Sequence, residues 1–127
     1  MILRNNEVIG ILDWELSTLG HPIADFSYHC LSWRTQEAFW DEAKLKELGI
    51  PSEKEYMEMY CKYSGKDLSK NWEFYMAFNM FKIAGILQGI LGRVRDGTAA
   101  SKHAEERGNM VFPLSQAAWE TIEDNFL

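Results

Sequence analysis

Cysteine, proline and positive charge are all scarce in this sequence. Its two cysteines, Cys30 and Cys61, lack C-x-x-C spacing and fall in stretches of helical composition. They read as reduced thiols of a cytoplasmic protein rather than as a disulfide framework. Lysine and arginine number 13 against 19 aspartates and glutamates, a formal charge of −6. That balance denies the chain the clustered basic face that nucleic acid or an anionic membrane requires. No G-x-S-x-G and no glycine-rich dinucleotide motif is present, and neither cysteine has a His-Asp arrangement nearby, so nothing supports nucleophilic catalysis. Repeats and low-complexity segments are absent. Met1-Ile2-Leu3 meets Arg4, Asn5 and Asn6 before any apolar region forms, unlike a secretory leader.

What is there is apolar and aromatic. The 127 residues are one domain's worth, and 46% apolar content with five tryptophans and seven phenylalanines demands a core. Val8 to Tyr28 organises the rest. Val8, Ile9, Ile11 and Leu12 form an apolar, largely β-branched run that predicts a buried strand ending at Asp13. Arg4-Asn5-Asn6-Glu7 is a polar tetrad whose asparagines tolerate the positive φ of a tight turn, with Met1 to Leu3 as the stub of a partner strand. The expected organisation is a single, mainly α domain: a small N-terminal β hairpin over 1–12, a loop over 13–21 and a helical region over 22–127.

Pro22 suits the first position of a helix running to about Trp33. Gln36 to Leu48 has helical composition and stops at Gly49-Ile50-Pro51. Ser52 and Glu55 form a capping box for a helix reaching Tyr63 or Ser64, with Gly65 as terminator. Ser69 or Asn71 is the expected cap of the next helix, Trp72 to Val94, which is apolar almost all round. Asn79, Lys82 and Gln88 argue against a membrane span there, so it reads as the central core helix. Ala99 to Arg107 and Pro113 to about Asp124 are the remaining predicted helices, with Pro113 either starting the last one or kinking a longer one.

Asp13 is the sharpest chemical candidate, because a carboxylate at the exposed end of a strand can meet water or a cation. Glu15, two residues on, shares its face if the backbone stays extended. Trp14 between them is expected to pack inward. His21, Asp25 and His29 fall at i, i+4 and i+8, a spacing that could hold zinc but that arises easily by chance. Arg93, Arg95, Lys102, His103 and Arg107 form a local basic cluster diluted by Glu105 and Glu106, read as a solvated face with an anionic ligand as the alternative. Tyr56, Tyr60, Trp72 and Tyr75 could line a cleft, although aromatics at helical spacing usually pack in a core.

The wording I-L-D-W-E, then L-G-H-P, then A-D-F-S resembles the metal-binding segment of the aminoglycoside phosphotransferase and choline kinase-like family. L-D-W-E-L-S-T-L-G-H-P-x-A-D is most similar to kinase-like domains fused to, or encoded beside, acyl-CoA dehydrogenases. N-W-E-F-Y-M-A-F-N-M-F and I-L-Q-G-I extend that likeness over nearly the whole chain. The resemblance implies the C-terminal helical lobe of a protein-kinase-like fold. It also implies Asp13 as a Mg²⁺ ligand with Glu15 as a second, and Asp25 as an anchor that holds the catalytic loop from beneath. Mg²⁺ and ATP are the implied cofactors, expected not to bind tightly to this chain alone. The implied reaction is phosphorylation of a small-molecule hydroxyl, a hydroxyacyl-coenzyme A thioester among the acceptors. The family's H-G-D-x-x-x-x-N loop and nucleotide lobe are not in these residues, so the chain is expected to be inactive alone. The competing reading is a non-catalytic helical module that binds a ligand or partner. The hairpin's cover is expected to come from a second copy of the chain or from the missing part of its own domain, with no nucleic acid and no membrane as partner.

Overall fold

The structure, a computed structural model, describes residues 1–35, 42–68 and 70–127. Strand β1 (Ile2–Arg4) pairs antiparallel with β2 (Glu7–Gly10), with an irregularity in register between Ile2 and Leu3. Asn5 and Asn6 make the two-residue turn at φ 50° and 63°, the positive values expected of them. The hairpin forms as predicted, but its return strand stops at Gly10 and is not buried. Val8 is 56% and Ile9 51% exposed, and Ile11 and Leu12 lie beyond the strand, also exposed. Strand propensity formed the hairpin, but nothing among the described residues covers a two-stranded sheet that cannot bury itself.

Helix α1 (Pro22–Cys30) begins where expected, with Pro22 at its first turn, and tightens into a 3-10 turn over Leu31–Trp33. Of the helix predicted over Gln36 to Leu48, Glu42–Glu47 forms α2, and residues 36–41 lie outside the described part. Helix α3 (Glu53–Ser64) carries the predicted capping box. The Glu55 amide donates to Ser52 Oγ at 3.3 Å, and the Ser52 amide donates to Glu55 Oε2 at 2.8 Å. The Ser52 amide foremost, and the Ser52 hydroxyl that also donates to Glu55 Oε2 at 2.8 Å, hold the Glu55 carboxyl below the ordinary range. Gly65 closes α3 at φ 67°, a left-handed position that costs a residue with a Cβ.

Helix α4 (Trp72–Arg95) is the longest and packs against α1, α5 (Ala104–Gly108) and α6 (Val111–Phe126). Asn71 sits at its N-cap but at φ 64°, and its side chain makes no capping bond, because a capping side chain works from extended backbone. Ser69, the other predicted cap, lies outside the described residues. Helix α5 is shorter than predicted. Gly108 at its end lies so close to α4 that a Cβ there would overlap the Leu91 side chain. Helix α6 starts at Val111, two residues ahead of Pro113, which the first turn tolerates because its amides have no intrahelical partner.

Ile23, Phe26, Cys30 and Leu31 from the first helical segment meet Trp72, Met76, Met80 and Ala84 of α4, Leu114 and Ala118 of α6, and Leu68. Asn79 and Ser27 are the buried polar residues among those described, and Asn79 links two helices. Its Nδ2 donates at 2.8 Å to both the Ala24 carbonyl and Ser27 Oγ, tying α4 to α1, while its Oδ1 has no partner among the described residues. Helix α4 is a core helix on one side only. It is long and apolar enough to cross a membrane by length and composition, yet its buried face serves this core.

Candidate functional site

Asp13 lies three residues past the end of β2, after Ile11 and Leu12. Its backbone is left-handed, φ 64° and ψ 36°, and it opens a single 3-10 turn over Trp14–Leu16. That turn is held by the Ser17 amide donating to the Trp14 carbonyl at 3.0 Å and by Trp14 Nε1 donating to the Ile11 carbonyl at 2.7 Å. The indole is 67% exposed rather than packed inward, because a short bond to its own loop fixes it on the surface. Asp13 and Glu15 are both exposed. The extended backbone that would put Glu15 on the face of Asp13 is not formed. In a turn of three residues, positions two apart point away from each other.

His21 is the N-cap of α1: its Nδ1 accepts from the Ile23 amide at 3.4 Å, and its ring stacks on Tyr75 with centroids 5.1 Å apart. A histidine nitrogen occupied by an amide is not offered to a metal, and no cluster of three metal-capable side chains occurs among the described residues. Asp25, in the first turn of α1, is exposed and has no hydrogen-bond partner among the described residues. It lies on the wall of a cleft of about 1030 Å³ shared with Tyr28, His29, Tyr56, Tyr60, Ile83, Leu87, Arg107 and Leu114. The tyrosines serve both readings given to them. Tyr60 stacks on Phe26 at 4.0 Å and Tyr56 on Trp33 at 5.4 Å, while both also line the cleft. Trp72 is core, and Tyr75 faces His21. Of the basic cluster, Arg107 reaches the cleft, Arg95 contacts Asp96 at 3.5 Å, and His103 contacts Glu106 at 3.4 Å.

Sequence reasoning missed an ionic clamp behind the cleft. Arg34 Nε donates to both Glu53 oxygens at 3.0 and 2.9 Å, its Nη2 donates to Glu53 and Glu73 at 2.6 and 2.9 Å, and Nη1 also bonds Glu73. Trp72 Nε1 donates to the same Glu53 at 2.9 Å. Burial works against the guanidinium charge, but the two carboxylates outweigh it and raise the Arg34 pKa. Next to this clamp the buried Cys30 thiol is pushed up to about 12 by burial, with Glu53 adding and Arg34 opposing.

Two carboxylates on an exposed loop suit Mg²⁺ in donor chemistry, since that ion takes one or two carboxylates and completes its octahedron with phosphates and water. Asp13 and Glu15 are the carboxylates of this loop that could hold such an ion.

Residues 1–60 match the sequence profile of the phosphotransferase enzyme family, APH. Over 119 residues the chain is 41% identical to acyl-CoA dehydrogenase family member 10 of Mus musculus, covering 90% of this chain and 11% of that protein. Over 123 residues it is 35% identical to family member 11 of Homo sapiens, covering 94% of this chain and 16% of that protein. Among solved structures it is similar to one from Ralstonia eutropha JMP134 assigned as an aminoglycoside phosphotransferase. There the identity is 45% and the TM-score 0.81, over 94% of this chain and 37% of that one. The chain therefore spans a small part of the curated relatives and just over a third of the solved one.

Proposed function

From the premise that this chain carries the C-terminal helical lobe of a phosphotransferase, kinase-like fold, we propose that it serves ATP-dependent phosphorylation of a small-molecule hydroxyl. The observation that carries this reading is the D-W-E, G-H-P, A-D wording falling at the end of a hairpin and the start of a helix in a chain so similar to a phosphotransferase. Asp13 would hold Mg²⁺, with Glu15 as a second ligand, and the ion would supply neutralisation of phosphate charge during transfer. Asp25 would brace the catalytic loop from the cleft wall. The dehydrogenase names of the relatives support a hydroxyacyl-coenzyme A thioester as acceptor.

Alone, these residues turn over no nucleotide, since no H-G-D-x-x-x-x-N base loop is among them. The apolar hairpin takes its cover from the sequence that completes such a fold, or pairs edge to edge with a second hairpin. A binding module without catalysis is the second reading, favoured by the cleft beside Asp25.

Complementation separates the two. The chain is co-expressed with the part of the Ralstonia protein that it does not match, and phosphate transfer from ATP to hydroxyacyl-coenzyme A is followed. Transfer that disappears in Asp13→Asn is the expected result. A complex that binds hydroxyacyl-coenzyme A with no transfer supports the binding module. Calorimetry on the chain alone should give negligible heat at micromolar Mg²⁺, and tight stoichiometric binding without nucleotide would overturn the metal assignment.

A further inference from the structure

Helix α4 shows the core only one side. Its other side carries Phe74, Phe78 and Phe81, which are 48, 49 and 51% exposed, and continues as Gly85, Gly89 and Gly92. At 3.6 residues per turn these six positions fall in one stripe along the helix. A Cβ built at Gly85 or Gly92 would meet nothing within 4 Å, and one at Gly89 would meet only Arg93 Nη1 at 3.8 Å. The glycines therefore do not serve close packing inside the chain. They leave an open groove next to a row of half-exposed rings.

Knobs and groove are disposed symmetrically. Phe74 and Gly92 lie equally far from Ile83, as do Phe81 and Gly85, and Phe78 matches Gly89 to within one residue. We propose that this face is a homodimer interface, in which a second copy lies antiparallel across α4 about a two-fold axis midway between Phe81 and Gly85. Each phenylalanine then sits over a glycine of the other copy, the self-complementary arrangement that a two-fold contact requires. A parallel pair would instead set ring against ring and groove against groove.

The size of the contact sets its strength. A phenylalanine buries roughly 150–250 Å² when fully covered, so the exposed halves of three rings in each copy supply about 600 Å². Glycine backbone and the stems of Lys82 and Gln88 add to this, toward the ~1,200 Å² at the low end of specific interfaces. The dimer is therefore weak and concentration-dependent. It uses neither the hairpin nor Asp13, and it stands independently of the phosphotransferase reading.

Sedimentation velocity over a wide concentration range tests it on the intact chain. The expected result is a reversible monomer–dimer equilibrium, weakened on the order of thirtyfold by Phe78→Lys, as for loss of a central aromatic anchor. Gly89→Leu, which fills the groove, should weaken it likewise. Both positions are exposed, so circular dichroism should be unchanged. Register is read independently by mixing Phe81→Cys and Gly85→Cys chains, each with Cys61→Ser, which should form a mixed disulfide on oxidation. A single monomeric species at every concentration, a dimer that survives both Phe78→Lys and Gly89→Leu, or binding to phosphatidylcholine vesicles in place of self-association would overturn the proposal.

Discussion

The hairpin and the helical body are built from equally apolar residues, yet only one of them has an inside. Val8, Ile9 and Ile11 stand more than half exposed, whereas Met76, Leu68 and Cys30 are sealed from solvent. The difference lies in what each region can fold against. Helices α1, α4 and α6 present stripes to one another and close a core. A two-stranded sheet has two faces and open edges, and its apolar side chains are buried only when something else arrives. Stability therefore resides in the helices, and the candidate metal loop hangs from the region that contributes least to it.

The largest effect belongs at the centre of the body. Met76→Ala removes a fully buried side chain at the crossing of α1 and α4, and should cost about 3 kcal/mol in urea unfolding through lost transfer energy and a residual cavity. A change below about 1 kcal/mol would mean that this core is loosely packed and that the contrast with the hairpin is overstated.

Arg34 comes next. Its guanidinium joins the end of the first helical segment to the starts of α3 and α4 through Glu53 and Glu73. Arg34→Met leaves two half-buried carboxylates facing each other and should cost about 2 kcal/mol, less than a fully buried pair because water still reaches the site. Arg34→Lys should recover only part of the loss, since one ammonium cannot reproduce two forked contacts. Equal stability of Arg34→Met and the parent would show that the clamp only decorates the helix ends.

Cys30 gives the body a pH signature. With its folded-state pKa at about 12 against an ordinary 9, the native chain holds the thiol proton more tightly than the unfolded chain does. That contribution is whole below pH 9 and is lost as pH rises toward 12. By pH 10 the loss amounts to roughly 1.4 kcal/mol, and Cys30→Ala should flatten the decline between pH 8 and 10. In the native protein at pH 9, Cys61 should react with iodoacetamide well before Cys30. Equal labelling rates would show that the core opens readily around α1.

Local signals were legible in the sequence. The Asn5-Asn6 turn, the Ser52-Glu55 box and the Gly65 stop each depend on residues within one turn of each other, and each formed as read. Long-range pairings were not. Arg34 lies 19 residues from Glu53 and 39 from Glu73, and no spacing rule links them. Asn79 was visible as a polar residue in an apolar helix, and its real use, a bond to Ser27 and Ala24, was implicit in that oddity. At the candidate site the wording around Asp13 revealed the kinship. It could not reveal that the loop closes into a 3-10 turn with Trp14 outside, because Trp14 has a partner in the Ile11 carbonyl and none in the core.

The smallest effect is the most telling for the hairpin. Ile9 faces water in this chain, so Ile9→Thr removes little buried surface and keeps a β-branched residue in β2. Its cost to unfolding of the body should stay within about 0.5 kcal/mol, the range of ordinary surface changes. The same substitution should matter once the hairpin has its cover. On the proposal that the complementary part of the Ralstonia protein covers the hairpin, Ile9 would pass from water into an apolar contact, where replacing its ethyl group by a hydroxyl costs on the order of 1–2 kcal/mol. Affinity measured by titration calorimetry should then drop about tenfold. If Ile9→Thr instead unfolds the isolated chain, the hairpin already packs on the helices in solution, and the two regions are one cooperative unit.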